Sequence, residues 1–156
     1  MRVVVITGSR WWPYPEPLEH ALRGAELAIL GDATGADTLS LEICLDNDII
    51  AQVYCASPRN AQKLRAKYGH RIGVYPVSDW DVDGRTGPDN AGFIRNGAML
   101  HRAMAERDAG MPVDCYAAPL PKSSGTYHCR RILKGQGFMV ETLRPPGYPP
   151  PQRAAL

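Results

Sequence analysis

The run Val-Val-Val-Ile at residues 3–6 constrains the fold more than any other feature of the sequence. An unbroken β-branched run of this kind is typical of a strand buried on both faces, as in a parallel sheet with helices on each side. It ends at a polar, glycine-containing loop. Because neighbouring parallel strands are joined by long crossovers, usually helices, the run predicts a chain in which strands and helices alternate.

That alternation continues along the chain. Short apolar segments predict strands at 2–6, 26–30, 49–55, 71–77, 112–118 and 138–143. Helical spacing of apolar residues predicts helices at 16–23, 36–47, 58–68, 90–109 and 125–134. Ser57 is the predicted N-cap of the third helix, and Leu39, Ile43 and Cys44 the inner stripe of the second. The pattern indicates an α/β fold, a three-layer sandwich with a mostly parallel sheet.

The length of the chain predicts one folded domain. A chain of 156 residues has the usual size of a single domain. We assign residues 1–143 to this domain. Residues 144–156 contain five prolines, which exclude a helix or a central strand, so we predict an extended tail there.

Composition excludes several classes of protein and partner. The net charge is only +2, so we do not expect a nucleic-acid partner. No segment approaches the roughly 20 apolar residues of a membrane span, and no signal peptide is recognisable, so we expect a cytoplasmic protein with no membrane partner. We expect no metal and no cofactor. No CxxC pair occurs, and we predict that all four cysteines are reduced core residues: Cys44, Cys55, Cys115 and Cys129.

A polar loop directly follows the first predicted strand, where parallel sheets place their ligands. It reads Thr7, Gly8, Ser9 and Arg10. Glycine allows a ligand to approach the backbone closely, and the hydroxyls and guanidinium suit a phosphate or carboxylate. A tight turn with a solvated arginine is the alternative. We take all four residues as candidate ligand-binding residues.

A second glycine-rich turn separates the second strand from the second helix. Its candidate residues are Gly31, Asp32, Gly35 and Asp37. Gly35 at the helix start is predicted to leave backbone N–H groups free for an anion. Asp37 suits the helix dipole and is a candidate acceptor for a ribose hydroxyl. Asp32 would repel a phosphate beside it and fits better as an acceptor for a sugar or base. A capped helix without a ligand is the alternative.

Two arginines and an asparagine form a third group. Arg85 lies in a glycine-rich loop, and Arg95 and Asn96 lie in the helix that follows. A helical Arg-Asn pair is equally typical of a solvated surface. Aromatic residues beside these loops are candidates for stacking on a base or for closing the core: Trp11, Trp12, Tyr14 and Trp80.

The start of the last helix has the composition of a phosphate cradle. Ser123, Ser124, Gly125 and Thr126 follow Lys122, which combines small residues, hydroxyls and a cation at a helix N-terminus. The GxxxxGK[ST] spacing of a P-loop is absent. An ordinary Ser/Thr cap is the alternative.

These motifs, taken in order, resemble the YspA-like branch of the SLOG superfamily over residues 1–143. The superfamily includes the LONELY GUY phosphoribohydrolases and the DNA-processing protein A fold. The resemblance rests on TGSR after the first strand, GxxxGAD after the second, a GR–GP loop followed by RNxxM, and a GT helix start. It implies a Rossmann-like fold that binds a nucleotide or a nucleotide-derived ligand, such as an ADP-ribose or NAD derivative. The positions that match the family pattern are Gly8, Ser9, Arg10, Gly31, Gly35, Asp37, Arg95, Asn96, Gly125 and Thr126.

One departure from the family weighs against catalysis. The phosphoribohydrolases carry PGGxGTxxE, and the position of their catalytic Glu is Cys129 here. We therefore favour a sensor or sequestering protein. The first alternative is a nucleotide hydrolase that cleaves an N-glycosidic or phosphate bond. Its candidate acids are Asp32, Asp37, Asp81 and Asp83. The second alternative is an interaction protein whose pocket is lost. Relatives commonly pair through helices, so a homo-oligomer formed through a face containing Met99, Leu100 and Met104 is also expected.

Overall fold

One six-stranded sheet organises the chain. The computed structural model describes residues 2–77 and 91–147. The strands are β1 (Val3–Gly8), β2 (Leu27–Leu30), β3 (Ile50–Cys55), β4 (Gly73–Pro76), β5 (Val113–Ala118) and β6 (Val140–Thr142). Their order in the sheet is β4-β3-β2-β1-β5-β6, and every neighbouring pair is parallel.

Helices cover both faces of this sheet. They are α1 (Pro15–Leu22), α2 (Ala36–Asp46), α3 (Pro58–Tyr68), α4 (Ala91–Asp108) and α5 (Ser124–Gly135). One apolar cluster contains residues of α1, α2 and α3, and a second contains residues of α4 and α5. The predicted α/β, Rossmann-like three-layer sandwich is confirmed, and the sheet is parallel throughout its described strands.

The N-terminal run is the centre of both clusters. Val4 and Ile6 pack in the cluster of the first three helices, whereas Val3 and Val5 pack in that of the last two. All four side chains are fully buried. Because successive side chains point to opposite faces of a strand, a strand covered on both sides must be apolar at every position. This requirement explains the unbroken run.

The predicted elements are confirmed, with differences at a few positions. Ser57 caps α3 as predicted, since its side chain accepts the N–H of Asn60 at 3.2 Å. β4 starts two residues later than predicted because residues 69–71 form a 3₁₀ turn. In α2, Leu39 and Ile43 are only partly buried. The buried stripe of that helix is instead Ala36, Asp37, Ser40, Leu41 and Cys44.

The prediction that the four cysteines are reduced core residues is confirmed, since all four are free and buried.

The face of α4 that was expected to form a homo-oligomer is covered by the chain's own core. Met99 is 1% exposed and belongs to that core, so it cannot contact a second copy. Leu100 and Met104 are partly buried against the same core cluster. The chain itself therefore uses the apolar stripe of α4.

The strand order fixes where loops separate. From β1 the chain builds β2, β3 and β4 on one side, and then returns to place β5 on the other side of β1. The connections after β1 and β5 consequently leave the sheet in opposite directions and open a crevice at the carboxyl ends of the two strands. Several predicted features lie outside the described residues: Trp80, Asp81, Asp83, Arg85 and residues 148–156 of the tail.

Candidate functional site

A cavity of about 280 Å³ lies in the crevice between β1 and β5. Segments that are far apart in the chain form its wall: the loop after β1, the turn after β2, the first part of α4 and the loop that leads into α5. The predicted site residues that line the cavity are Thr7, Gly8, Ser9, Arg10, Gly31, Asp37, Arg95, Asn96, Ser123, Ser124, Gly125 and Thr126. Twelve of the fifteen candidate residues thus meet at one place.

The loop after β1 is held by its own backbone. The N–H of Ser9 donates to the carbonyl of Ala118 at the end of β5, at 2.9 Å, and the Ser9 hydroxyl accepts the N–H of Trp11 at 3.1 Å. Thr7 and Ser9 are almost fully buried, whereas Arg10 is exposed. The hydroxyls therefore belong to the cavity floor, and the guanidinium is free to approach a ligand from the rim.

The turn after β2 packs against that loop and hydrogen-bonds to it. The N-terminus of α2 is therefore directed at the backbone of the loop and not at the cavity. Gly35 has a φ of +73°, and a Cβ at this position would lie 2.5 Å from the carbonyl oxygen of Ser9. The N–H of Ala36, the first of α2, donates to the same carbonyl at 3.1 Å. The Thr34 hydroxyl donates to the carbonyl of Arg10 at 3.1 Å. Gly35 is thus a packing residue that does not line the cavity, because backbone atoms of the loop after β1 lie where its Cβ would be.

Asp37 is a buried carboxyl in the cavity wall. Its side chain accepts the N–H of Ala33 through Oδ2 at 3.0 Å. Its other oxygen, Oδ1, is buried and has no hydrogen-bond partner among the described residues. Burial raises the pKa of Asp37 from 3.8 to about 6, although the nearby Arg95 guanidinium acts in the opposite direction. Asp37 is therefore a buried, cavity-lining carboxyl that titrates close to neutral pH.

Asp32 has a different role from the one predicted for it. Its Oδ1 forms an ion pair with Nη1 of Arg95 at 2.5 Å. Its Oδ2 accepts the N–H of Ala56 at 3.1 Å and the side-chain amide of Asn60 at 2.8 Å. Asp32 does not line the cavity, and protein groups occupy both of its oxygens. It orients Arg95, which does line the cavity.

Gly31 makes this charge cluster possible. A Cβ at Gly31 would lie 2.6 Å from Oδ2 of Asp37 and 2.8 Å from Nη1 of Arg95. The space of the missing side chain is therefore filled by the carboxyl and the guanidinium. The two charged groups can meet at the end of β2 only because residue 31 is glycine.

Asn96 joins α4 to the start of α5. Its Nδ2 donates to the carbonyl of Gly125 at 3.0 Å, and its Oδ1 accepts Nε of Arg95 at 3.2 Å. The side chain is 2% exposed. Asn96 therefore fixes the position of the α5 N-terminus relative to Arg95.

The N-terminus of α5 opens into the cavity without a side-chain cap. Ser123 is its N-cap, but its hydroxyl accepts the N–H of Leu120 at 3.1 Å and makes no capping bond. Lys122 adopts a left-handed conformation with φ +67°, which turns the chain into the helix. The N–H of Ser124, the first of the helix, donates to the carbonyl of Lys122 at 3.1 Å. The next N–H groups, those of Gly125 and Thr126, have no acceptor within the helix. Together with Lys122 and Arg10 they give this end of the cavity a positive potential.

Cys129 occupies the position of the family's catalytic Glu. Its side chain is fully buried, and burial raises the pKa of the thiol to about 11. A neutral thiol at this point can supply neither a carboxylate nor a proton at neutral pH. The structure thus leaves Asp37 as the carboxyl that lines the cavity, while the predicted Asp81 and Asp83 lie outside the described residues.

Some lining residues were not among the predicted site residues. Trp11 lines the cavity and is 76% exposed, whereas Trp12 is buried and donates to the carbonyl of Tyr14 at 2.8 Å. Ala33, Met99, Pro121 and Lys122 also line the cavity. Lys122 belongs to the motif at the start of α5 and could have been added on that basis. The sequence contains no signal for Ala33 or Met99, which are an ordinary small residue and a core methionine.

Two negative observations concern the described residues only. In residues 2–77 and 91–147, no group of three or more His, Cys, Asp or Glu residues could hold a metal ion. No helix in the same residues is long and apolar enough to cross a membrane.

The chain has a Rossmann-like fold with a cavity at the point where the strand order reverses. The solved structure of DNA processing protein A (DprA) from Streptococcus pneumoniae is similar, with a TM-score of 0.52 and 16% sequence identity. The match covers 90% of this chain and 58% of that one, so the chain spans little more than half the length of the protein it resembles. No family model and no curated protein matches the chain.

This likeness bears on two expectations. At 16% identity it bears on the fold alone, and it agrees with the Rossmann-like fold that the sequence predicted. The expectation that nucleic acid is not a partner is contradicted, since the similar structure is that of a DNA processing protein. The error lies in the use of net charge. A total of +2 does not describe the local concentration of Arg10, Lys122 and a helix N-terminus in one cavity.

Proposed function

We propose that this protein binds a nucleotide or a nucleotide-derived ligand, of the ADP-ribose or NAD-derived type, in the cavity between β1 and β5, and that it acts as a sensor or sequestering protein. One observation carries the proposal. The N-terminus of α5, three cationic side chains (Arg10, Arg95 and Lys122) and the buried carboxyl of Asp37 line the same cavity at the reversal of strand order. These groups complement the two polar parts of a nucleotide, its phosphate and its sugar.

The phosphate would lie at the N-terminus of α5. Backbone N–H groups of the first turn and the dipole of the helix favour an anion there. Arg10 and Lys122 approach the same region from two different loops. A phosphate would thus receive charge-assisted hydrogen bonds from both sides.

The sugar would lie against Asp37. Asp37 lines the cavity, and a carboxylate is a suitable acceptor for a ribose hydroxyl. Arg95 is held beside it by Asp32 at 2.5 Å and cannot swing away freely. The pair of a carboxyl and a fixed guanidinium would thus give the sugar both an acceptor and a donor.

A free nucleotide and a nucleic-acid strand are two sources of this chemistry, and the likeness in fold is a reason to test the second. The similar solved structure is that of a DNA processing protein. Trp11 is exposed at the rim of the cavity, and base stacking on an aromatic side chain is a general mode of single-strand binding. Both sources share the same chemistry, a phosphate with a sugar and a base.

One observation favours hydrolysis as a second candidate function. Asp37 has a pKa of about 6 and lines the cavity, as a general acid must. In that reaction water would attack C1′ of the ribose as the N-glycosidic bond breaks. Protonated Asp37 would give its proton to the departing base, and the proton released by the attacking water would return to the Asp37 carboxylate. Asp37→Asn would abolish such cleavage while the ligand still binds.

A thermal-shift titration tests the proposal. The compounds are AMP, ADP, NAD, ADP-ribose and a 5′-phosphorylated single-stranded oligonucleotide, each recovered afterwards and analysed for cleavage. A ligand at 100 times its Kd stabilises the fold by about 2.7 kcal/mol, which such an assay detects. Arg10→Ala and Lys122→Ala should each weaken binding about tenfold or more.

The matched control is Lys134→Ala, which removes a cation from the other end of α5. It should leave binding unchanged. Intact ligand after binding supports a sensor or sequestering protein, and cleaved ligand supports the hydrolase. If none of the compounds stabilises the chain, the proposal is wrong.

A further inference from the structure

A second cavity, of about 180 Å³, lies beside the first between α2 and α3. Its walls are formed by the turn after β2, by residues of α2 and α3, and by β3. The residues that define it on the side away from the first cavity are Thr38, Leu41, Val53, Asn60, Lys63 and Leu64. None of them was a candidate in the sequence.

The two cavities share one wall. Gly31, Ala33 and Asp37 line both of them. Within this shared wall, the N–H of Ala33 donates a hydrogen bond to Oδ2 of Asp37 at 3.0 Å. The carboxyl that we assign to the sugar therefore stands between the two cavities.

The sizes of the cavities indicate one ligand in both. Sites for small molecules usually enclose about 300–1,000 Å³. Neither the first cavity, at about 280 Å³, nor the second, at about 180 Å³, reaches that range, but the two together lie within it. A ligand that occupied only the first would leave the second empty beside it.

Charge separates the two cavities. Arg10, Lys122 and Arg95 line the first. The second is lined by Leu41 and Val53, which are nearly fully buried, and by the buried carboxyl of Asp32. Both oxygens of Asp32 are taken by protein donors, one of them the Arg95 guanidinium, so this carboxyl offers no free acceptor to a ligand. The exposed Lys63 also lines the second cavity, but its inner wall of Leu41, Val53 and Leu64 is apolar and suits an uncharged, flat ring.

We infer that the second cavity is the base subsite of the proposed nucleotide site. The phosphate lies in the first cavity at the start of α5, the sugar lies over the wall formed by Ala33 and Asp37, and the base lies between α2 and α3. This inference rests on the proposed function and adds to it the orientation of the bound nucleotide, with its phosphate in the first cavity and its base in the second. It also separates the base from Trp11, which lies at the rim of the first cavity.

A filling variant tests the inference. Leu64 is partly buried and lines the second cavity, so Leu64→Trp should fill that cavity from the α3 side. Gln62→Trp places the same side chain on an exposed position of α3 and is the matched control. Titration calorimetry with ribose 5-phosphate and with the four common nucleoside 5′-monophosphates measures the effect of each variant.

We expect at least one nucleotide to bind the native chain ten times more tightly than ribose 5-phosphate does. In Leu64→Trp that advantage should disappear, while the affinity for ribose 5-phosphate stays within twofold of the native value. The unchanged sugar-phosphate affinity shows that the first cavity is still folded. Gln62→Trp should change neither affinity.

The outcomes distinguish the inference from the proposed function. If nucleotides keep their advantage in Leu64→Trp, the base lies elsewhere and the inference is wrong, while the proposed function stands. If none of the five compounds binds the native chain, the inference is wrong, and the thermal-shift titration with NAD, ADP-ribose and the oligonucleotide decides the proposed function separately. If Leu64→Trp loses all binding, Thr38→Leu decides, because it fills the same cavity from α2. Loss of the nucleotide advantage alone in that variant supports the inference, and retention of the advantage overturns it.

Discussion

Two carboxylates five residues apart have opposite roles. Asp32 and Asp37 were equal candidates in the sequence, because both lie in the same glycine-rich turn. Asp32 is held in an ion pair with Arg95 and by two further donors, whereas Oδ1 of Asp37 has no partner among the described residues. The difference arises from Ala56, Asn60 and Arg95, which are distant in sequence. Reasoning from the turn alone could not assign the roles.

The buried ion pair of Asp32 gives the first prediction. Removal of one partner from a buried pair leaves an uncompensated charge and costs about 3–5 kcal/mol, whereas an exposed pair contributes about 0–1 kcal/mol. Asp32→Asn should therefore lower the free energy of unfolding in urea by about 3 kcal/mol. The control is Asp114→Asn, which breaks the more exposed pair with Arg2 at 2.7 Å and should cost less than about 1 kcal/mol. Equal losses in the two variants would contradict the assigned role.

Titration of Asp37 gives the second prediction. Its pKa is raised from 3.8 to about 6 in the folded chain, so between these pH values the folded chain holds a proton that the unfolded chain releases. The resulting stabilisation is fully present below pH 3.8 and is lost as the pH rises through about 6. Its size is at most about 3 kcal/mol, at 1.36 kcal/mol per pKa unit. The shift reflects burial first, opposed by Arg95 and reinforced by Asp32.

Urea unfolding at pH 4, 5, 6 and 7 measures this effect. The free energy of unfolding of the native chain, minus that of Asp37→Asn, should fall as the pH rises through this series. Groups that titrate alike in both proteins cancel in the difference. Parallel curves for the native chain and Asp37→Asn would show that burial does not raise this pKa.

At the scale of elements, two helix starts that look alike in sequence differ in what they offer. Both α2 and α5 begin with a glycine-containing, hydroxyl-rich segment, and both were predicted anion sites. The first N–H of α2 donates to the carbonyl of Ser9 at 3.1 Å, and Gly35 packs on the same loop. The first N–H of α5 also has an acceptor, the carbonyl of Lys122 at 3.1 Å, but residues 123–126 at this helix start line the cavity. Helix positions and caps were predictable from local sequence, but which N-terminus is open depends on packing between loops.

Gly35 gives the third prediction. Any side chain at this position must adopt a positive φ of 73° and would overlap the backbone of Ser9 and Arg10. Gly35→Ala should therefore destabilise the chain by about 2–4 kcal/mol, since strain and overpacking each cost about 1–3 kcal/mol. Gly97→Ala is the control, because Gly97 lies inside α4 with open space around its Cα and should gain about 0.5–1 kcal/mol. The two free energies of unfolding should thus change in opposite directions, and changes of the same sign would contradict the packing role of Gly35.

At the scale of the whole molecule, the layers of sheet and helices were predictable from the sequence, but which loops meet at the cavity was not. The apolar run at 3–6 and the alternation of elements were sufficient to predict a parallel sheet with helices on both faces. They did not give the strand order, which is set by the crossovers. That order brings residues 7–10 beside 121–126 and places the turn after β2 on one rim. The second cavity was not predictable, because Asn60, Lys63 and Leu64 have the pattern of an ordinary surface helix.

The strand order makes a prediction for the complete molecule. A nucleotide that spans both cavities must contact the chain on both sides of the strand reversal, whereas ribose 5-phosphate contacts mainly the first cavity. Hydrogen exchange should therefore slow in segments 31–38, 60–64 and 124–126 with the tightest-binding nucleoside 5′-monophosphate. With ribose 5-phosphate it should slow at 124–126 and remain unchanged at 60–64. Both ligands are used at the same multiple of their Kd, so that the general stabilisation by binding is equal and only local contacts differ. Residues 140–142, at the edge of the sheet, serve as the internal reference. Equal protection of 60–64 by both ligands would show that α3 responds to stabilisation of the whole fold and not to a base bound against it.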